Sequence, residues 1–297
     1  MTMLSPQSVA FHVLDARQKA VKIITNAAYG YAGWVGARWY LKPVAEAASA
    51  WGRHIILATT QMAEKAGLAV VYGDTDSLFI RYDQVKAQQL QEDIERELKL
   101  YVEIGEVYKR IFLICAKKRY SGLRQDGTLD IVGLEVIRGD WAAVAKEVQE
   151  NVLEMILKEQ SPKKAADYVN DVVADLRHRK IPLHDLIIWK TLTKNPEKYA
   201  IRVPHVEAAK MLKEKGWRLT GGDKVGYVIL KGRGRLYSRV KPYFFSKLEE
   251  VDVDYYITNQ VLPAATRILG FFDINEKQLL QKERKETQGI CSLMDYV

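Results

Sequence analysis

The sequence predicts an α+β fold: an antiparallel sheet backed by helices, followed by a mostly helical second part. Three observations predict it. Helical periodicity alternates with short apolar runs up to about residue 136. A cluster of turn formers, Gly73-Asp74-Thr75-Asp76-Ser77, separates two of those runs as in a β-hairpin. After Asp140 helical patterns dominate, broken mainly by Pro and Gly.

Taken in order, Ala16 to Tyr29 interleaves polar and apolar residues without Gly or Pro and reads as a helix. Gly30 and Gly33 then suggest a turn. Pro43 suits the first turn of a second helix running to Lys65, which Gly67 closes. Leu68 to Tyr72 and Leu78 to Tyr82 are the hairpin strands, and Gln84 to Leu100 is a charged amphipathic helix. Tyr108 to Ala116 and Leu129 to Val136 read as strands joined through a turn at Gln125-Asp126-Gly127. Helices follow over Trp141 to Lys158 and Lys163 to Arg177. Asp185 to Lys213 is broken by Pro196 and Pro204, and a short strand covers Tyr227 to Lys231. A last helix spans Asp254 to Leu269, with Pro263 expected to kink or reset it. A composition shift near residues 116 to 122 marks a domain boundary.

The chain has 297 residues, 48% apolar and 28% charged, enough to bury a core. Its start lacks the pattern of a signal peptide, and no stretch reaches the length of a membrane span. Cys115 and Cys291 are too few for a disulfide framework, so a cytoplasmic location is expected and a membrane is not. The charge is unevenly placed. Arg177 to Lys247 holds 18 Lys/Arg against 5 Asp/Glu, whereas the rest holds 27 against 32. Such asymmetry suits a segment facing a polyanion, and it also suits a solvated basic surface.

Four groups of residues carry candidate chemistry. Asp74 and Asp76 at a hairpin tip are hard oxygen donors that suit Mg²⁺ shared with a phosphate, though Asp, Gly, Thr and Ser also make ordinary turns. Lys22, Asn26 and Tyr29, at i, i+4 and i+7, share a helix face that could meet the phosphate, sugar and base of a nucleotide. Alternatively, that face is a solvated stripe. Lys117-Lys118-Arg119-Tyr120 offers cations and an aromatic for phosphate and groove contacts, or a basic edge. Strand alternation keeps its three cations from serving one surface. In Lys231-Gly232-Arg233-Gly234-Arg235 the glycines allow close backbone approach and the arginines suit phosphates, or the segment is simply a flexible basic loop.

In this order these features resemble the C-terminal part of family B DNA polymerases, most closely the archaeal replicative type. Lys22-Ile-Ile-Thr-Asn26-Ala-Ala-Tyr29-Gly30 resembles the fingers motif Lys-x-x-x-Asn-Ser-x-Tyr-Gly, with Ala27 in place of Ser. Tyr72 to Ser77 matches Tyr-x-Asp-Thr-Asp-Ser of the palm, and Lys117 to Tyr120 its Lys-Lys-x-Tyr element. Gly133-Leu134-Glu135-Val136, Pro204-His205-Val206, Leu230 to Arg235 and Tyr255 to Pro263 are similar to the thumb. The resemblance covers about Leu14 to Gln281.

It implies a second fingers helix over 1–33, the C-terminal half of a palm-type sheet over 34–120 and a thumb over 121–297. Asp76, supported by Asp74, would be a catalytic metal ligand for two Mg²⁺ ions. Lys22, Asn26 and Tyr29 would bind a dNTP. Gly30, Lys117, Lys118, Arg119, Tyr120, Lys231, Arg233 and Arg235 would contact primer-template DNA. The family's other palm carboxylate motif, Asp-x-x-Ser-Leu-Tyr-Pro, has no counterpart here, nor have the first fingers helix and the proofreading exonuclease. The expectation is therefore a split or truncated polymerase, inactive until a large subunit brings those parts. The alternatives are a non-catalytic DNA-binding scaffold and, more remotely, a palm-type cyclase. Gln288 to Val297 faintly resembles a sliding-clamp-binding tail, and an ordinary apolar tail is the competing reading.

Overall fold

A computed structural model describes residues 8–114 and 116–280. Cys115, Cys291 and the tail Gln288 to Val297 lie outside the described residues. The chain divides into two compact units, Met1–Gly105 and Glu106–Val297. The division falls earlier in the chain than the composition shift near 116 to 122.

The first unit opens with two helices, α1 (Val9–Gly33) and α2 (Lys42–Lys65), packed on each other. Ser8 caps α1, its Oγ accepting from the Phe11 amide at 3.1 Å. The helix runs straight through Gly30, where the sequence suggested a turn, and ends after Gly33. One glycine costs about 1 kcal/mol in a helix interior, too little to stop 25 residues of otherwise helical pattern. Pro43 lies in the first turn of α2, as its ring requires. At the other end Gly67 adopts φ +72°, and the Leu68 amide reaches back to the Ala63 carbonyl at 2.9 Å. That six-to-one bond closes the helix around a left-handed residue.

Strands β1 (Val70–Asp74) and β2 (Ser77–Ile80) form an antiparallel hairpin, and α3 (Gln84–Leu98) packs on α2 behind it. Ala63, Leu68, Leu90 and Ile94 make a small core. Little else in the unit is covered: among its described residues α1 buries none.

The second unit is built around a large core. Its first sheet has the order β3 (Tyr108–Leu113), β4 (Tyr120–Arg124), β5 (Leu129–Val132), all antiparallel. The middle strand was not legible as a strand, and the turn at Gln125-Asp126-Gly127 joins it to β5. Helices α4 (Ala143–Glu154) and α5 (Pro162–Arg177) follow, then strand β6 (Ile188–Thr191), helix α6 (Pro204–Glu214) and strands β7 (Lys224–Ile229) and β8 (Val240–Pro242). The second sheet runs β6-β7-β8. The chain then forms α7 (Val253–Tyr256) and α8 (Leu262–Leu269), separated by a wide five-residue turn over Ile257–Val261. Pro263 sits just inside the restart, where a missing amide hydrogen is tolerated. Val148, Val152, Val169, Val206, Ile229, Tyr256 and Ile268 are all buried in this core. The architecture is α+β with small antiparallel sheets.

Candidate functional site

The hairpin between β1 and β2 is tighter than the turn-forming cluster suggested. Gly73 pairs with Leu78 and Asp74 with Ser77, which leaves only Thr75 and Asp76 in the loop. Thr75 adopts φ +43°, a left-handed conformation rare for a β-branched residue. It is held from both sides. Its Oγ1 donates to Asp74 Oδ1 at 3.0 Å, and the Ser77 hydroxyl donates to the Asp74 carbonyl at 3.2 Å. Both carboxylates are thereby presented at one end of the hairpin, Asp74 half-buried and Asp76 exposed. Below them the Tyr72 and Phe79 rings lie across the strands, 5.6 Å apart.

Lys22, Asn26 and Tyr29 occupy one face of α1, and all are exposed. The Tyr29 hydroxyl shares a hydrogen bond with Ser49 of α2 at 2.9 Å, which fixes the ring against the neighbouring helix. Gly30 lies in the helix one residue beyond, with open space where a Cβ would stand. No hydrogen bond or ion pair joins Lys22 or Asn26 to Asp74 or Asp76 among the described residues. The two groups are linked through α2, on which both α1 and the hairpin pack. Among the described residues no three His, Cys, Asp or Glu side chains converge on a metal-sized space. Two carboxylates with free oxygens fit part of a Mg²⁺ coordination shell and leave the rest to water, substrate or another chain.

In the second unit, Lys117 and Lys118 project from the loop between β3 and β4, both exposed, with Lys118 at φ +58°. That loop rests on Gly133 (φ +70°), where any Cβ would overlap the carbonyl of Lys118. Arg119 turns the other way. Its guanidinium lies 3.9 Å from Glu135, a fully buried carboxylate that also meets Arg267 at 3.2 Å and accepts from Gln149 at 2.7 Å. Tyr120 begins β4, opposite Leu113 and Val132. Spacing gave no hint that Arg119 would face inward, because its partner Glu135 lies 16 residues further along the chain.

The loop after β7 carries Lys231, Arg233 and Arg235, all exposed and without an ion-pair partner among the described residues. Gly232 at φ +150° and Gly234 at φ +111° shape it. Arg239 anchors it from behind, paired with Asp252 at 2.6 Å and donating to the Gly232 carbonyl at 3.4 Å. Asp252 also caps α7 through the Tyr255 amide at 3.1 Å. Sequence reasoning missed this pair, for which a separation of 13 positions offered no periodic signal. Arg138 and Lys190 both bind Asp140. Burial disfavours its charge, but hydrogen bonds from the two cations outweigh that and hold the carboxyl at about 2. His205, packed on Tyr199, is held below the ordinary histidine range, first by burial and then by Lys190.

Residues 3–271 match the model of DNA polymerase family B. This chain belongs to that family. It is 48% identical to DNA polymerase 2 of Aeropyrum pernix over 95% of this chain and 35% of that protein. It is 42% identical to the DNA polymerase of Archaeoglobus fulgidus, over 93% of this chain and 38% of the relative. The solved family B DNA polymerase of Pyrobaculum calidifontis is similar in structure, with a TM-score of 0.63 and 45% identity. That match covers 89% of this chain and 35% of the solved one. The chain thus spans little more than a third of the length of these family B relatives. Among the described residues no helix is long and apolar enough to cross a membrane.

Proposed function

We propose that this chain is the C-terminal portion or small subunit of a DNA-directed DNA polymerase that extends a primer on template DNA. It would contribute one part of the metal site, part of the dNTP site and the thumb that holds duplex DNA. The observation that carries this reading is the hairpin tip, which places Asp74 at the end of β1 and Asp76 in the two-residue loop that follows, Asp76 exposed and Asp74 with one oxygen held by Thr75. Bound Mg²⁺, as two ions, would lower the pKa of the attacking 3′-hydroxyl and neutralise charge on the leaving pyrophosphate.

Asp76 is the principal ligand from this chain, and Asp74, held by Thr75, supports it. Lys22 offsets triphosphate charge as a compact cation on a helix. Asn26 positions the sugar, while Tyr29, braced by Ser49, lines the nascent base pair together with Gly30. Lys117 and Lys118 hold the primer end through phosphates, without reading sequence. Arg119 keeps their loop in place from below through Glu135, and Tyr120 fixes the start of β4. Lys231, Arg233 and Arg235 clasp the duplex, so affinity falls steeply as salt rises.

Two aspartates on one hairpin do not replace a carboxylate from another strand. A large companion subunit, carrying the first palm motif and the exonuclease, supplies it in this reading. The first unit supports that view. Phe11, Val21, Ile23, Ile24, Trp39 and Trp51 are all exposed there, an unusual cost for side chains of their size. A two-stranded sheet is also marginal unless further strands join it.

Reconstitution with a polypeptide spanning the remaining length of a family B relative tests the assignment. Asp76→Ala should abolish primer extension while DNA binding persists. Unchanged extension would leave a non-catalytic DNA-binding scaffold as the better reading. A sliding clamp is the remaining partner proposed. Deleting Gln288 to Val297 should release it in a pull-down if that tail is its site.

A further inference from the structure

The second unit carries a strip of exposed aromatic rings that the polymerase reading does not use. It begins at Trp189 of β6, which pairs across the sheet with Gly226 of β7. Gly226 forms the floor. A Cβ there would come within 2.9 Å of the Tyr243 ring, 3.0 Å of the Trp189 ring and 3.0 Å of Ile187. Past Pro242 the chain makes a single tight turn over Tyr243–Phe245, which lays Tyr243 beside Trp189 at 5.4 Å. Phe244 follows 3.9 Å from Tyr243, and Trp217 lies 4.9 Å beyond Phe244. Trp217 is delivered from α6 by Gly216 at φ +90°, with its amide bound to the Leu212 carbonyl at 3.1 Å. Three separate segments thus build one continuous row of rings.

Trp189 is 39% exposed, Phe244 51% and Trp217 44%, although the core beneath them is filled without any of the three. Large rings left in water at such cost suggest an occupant with flat apolar faces of its own. The surrounding charge identifies it. The strip lies within the segment holding 18 Lys/Arg against 5 Asp/Glu. Arg218 beside Trp217, Lys215 two residues before it and Lys224 at the start of β7 are exposed, with no ion-pair partner among the described residues. Of the segment's carboxylates, Glu197 and Glu207 are already paired with cations. Cores of protein interfaces are depleted of charge, whereas rings flanked by open cations are the pattern that binds unpaired bases and their phosphates.

We propose that Trp189, Tyr243, Phe244 and Trp217 form a stacking platform for a single-stranded nucleic acid. Base faces in a duplex are covered by their neighbours, so only an unpaired strand can exchange base stacking for stacking on these rings. The flanking cations hold its phosphates. This platform is built from other segments than the Lys231, Arg233 and Arg235 loop.

The test is anisotropy of a labelled oligothymidylate of about eight nucleotides with the full chain, compared with an abasic strand of equal length and a duplex. A Trp217→Ala/Phe244→Ala double variant removes two exposed rings, and its melting curve should match the parent's. It should bind oligothymidylate at least about 30-fold more weakly, with duplex affinity within about twofold of the parent. The parent should bind the abasic strand as weakly as the variant binds oligothymidylate. Equal affinity of parent and variant for oligothymidylate, or of the parent for oligothymidylate and abasic strands, overturns the platform. So does a variant that keeps its oligothymidylate affinity but no longer associates with the companion polypeptide, which would make the strip a protein interface. Duplex binding reports on the thumb separately, so loss of one reading is not confused with loss of the other.

Discussion

The two units of this chain differ in closure. In the second, α4, α5, α6 and α8 enclose a continuous apolar core, and polar groups inside it, such as Gln149, Glu135 and Gln260, have partners. In the first, four residues make the core, while a 25-residue helix of strong apolar content lies against one neighbour and buries nothing completely. Helical propensity alone does not hold a helix, which needs an apolar face covered. The difference teaches that the first unit leaves most of its apolar helix surface uncovered, whereas the second encloses a core of its own. The residues proposed for chemistry follow the same division: both aspartates and the nucleotide-facing triad sit in the open unit, the duplex-gripping cations in the closed one.

Hydrogen exchange on the full chain should expose the contrast most strongly. Amides of α1 should show protection below about tenfold, and those of α4 and α8 at least about 10⁴-fold. A companion polypeptide should raise the α1 values, and α1 protection equal to that of α8 in the chain alone would erase the contrast. Next in size, Gly133→Ala should cost about 3 kcal/mol or more, because it combines a left-handed φ with overlap against the Lys118 carbonyl. Denaturant unfolding measures it, and a cost under about 1 kcal/mol would show that the Lys117–Lys118 loop is not seated there.

Asp252→Ala should cost about 2–3 kcal/mol, since it removes the α7 cap and leaves Arg239 without its carboxylate. The hairpin of the first unit should be unaffected, as measured by exchange at Tyr72 and Phe79. Smallest is a pH effect. The folded pKa of Asp140 is lowered, so its contribution is present above the ordinary aspartate value and is lost as pH falls from about 4 to about 2. Asp140→Asn should flatten that part of the stability profile relative to the parent, and an unchanged profile would mean that Arg138 and Lys190 do not hold the carboxylate.

Elements bounded by strong local chemistry were legible. Pro43 and Gly67 mark the ends of α2, and the turn formers between two apolar runs mark the hairpin. Three strands were hidden for physical reasons. β4 contains Ser121 and Gly122, poor strand formers, and Gly122 is needed because the Tyr108 ring lies on it. β6 is four residues inside a stretch whose apolar run fits helix or strand, and β8 is three residues ending in a proline. Of the candidate site, the identities and spacing of Asp74, Asp76, Lys22 and Asn26 could be read directly. Arg119 facing Glu135, and Arg239 behind the Gly-Arg loop, depend on long-range packing that no local pattern encodes.

The most direct measurement of the central claim is Mg²⁺-dependent primer extension by this chain alone and after addition of a polypeptide covering the remaining length of a family B relative. The account predicts no extension by the chain alone and extension by the pair. Extension by the isolated chain, or failure of a pair that associates and binds DNA, would contradict it.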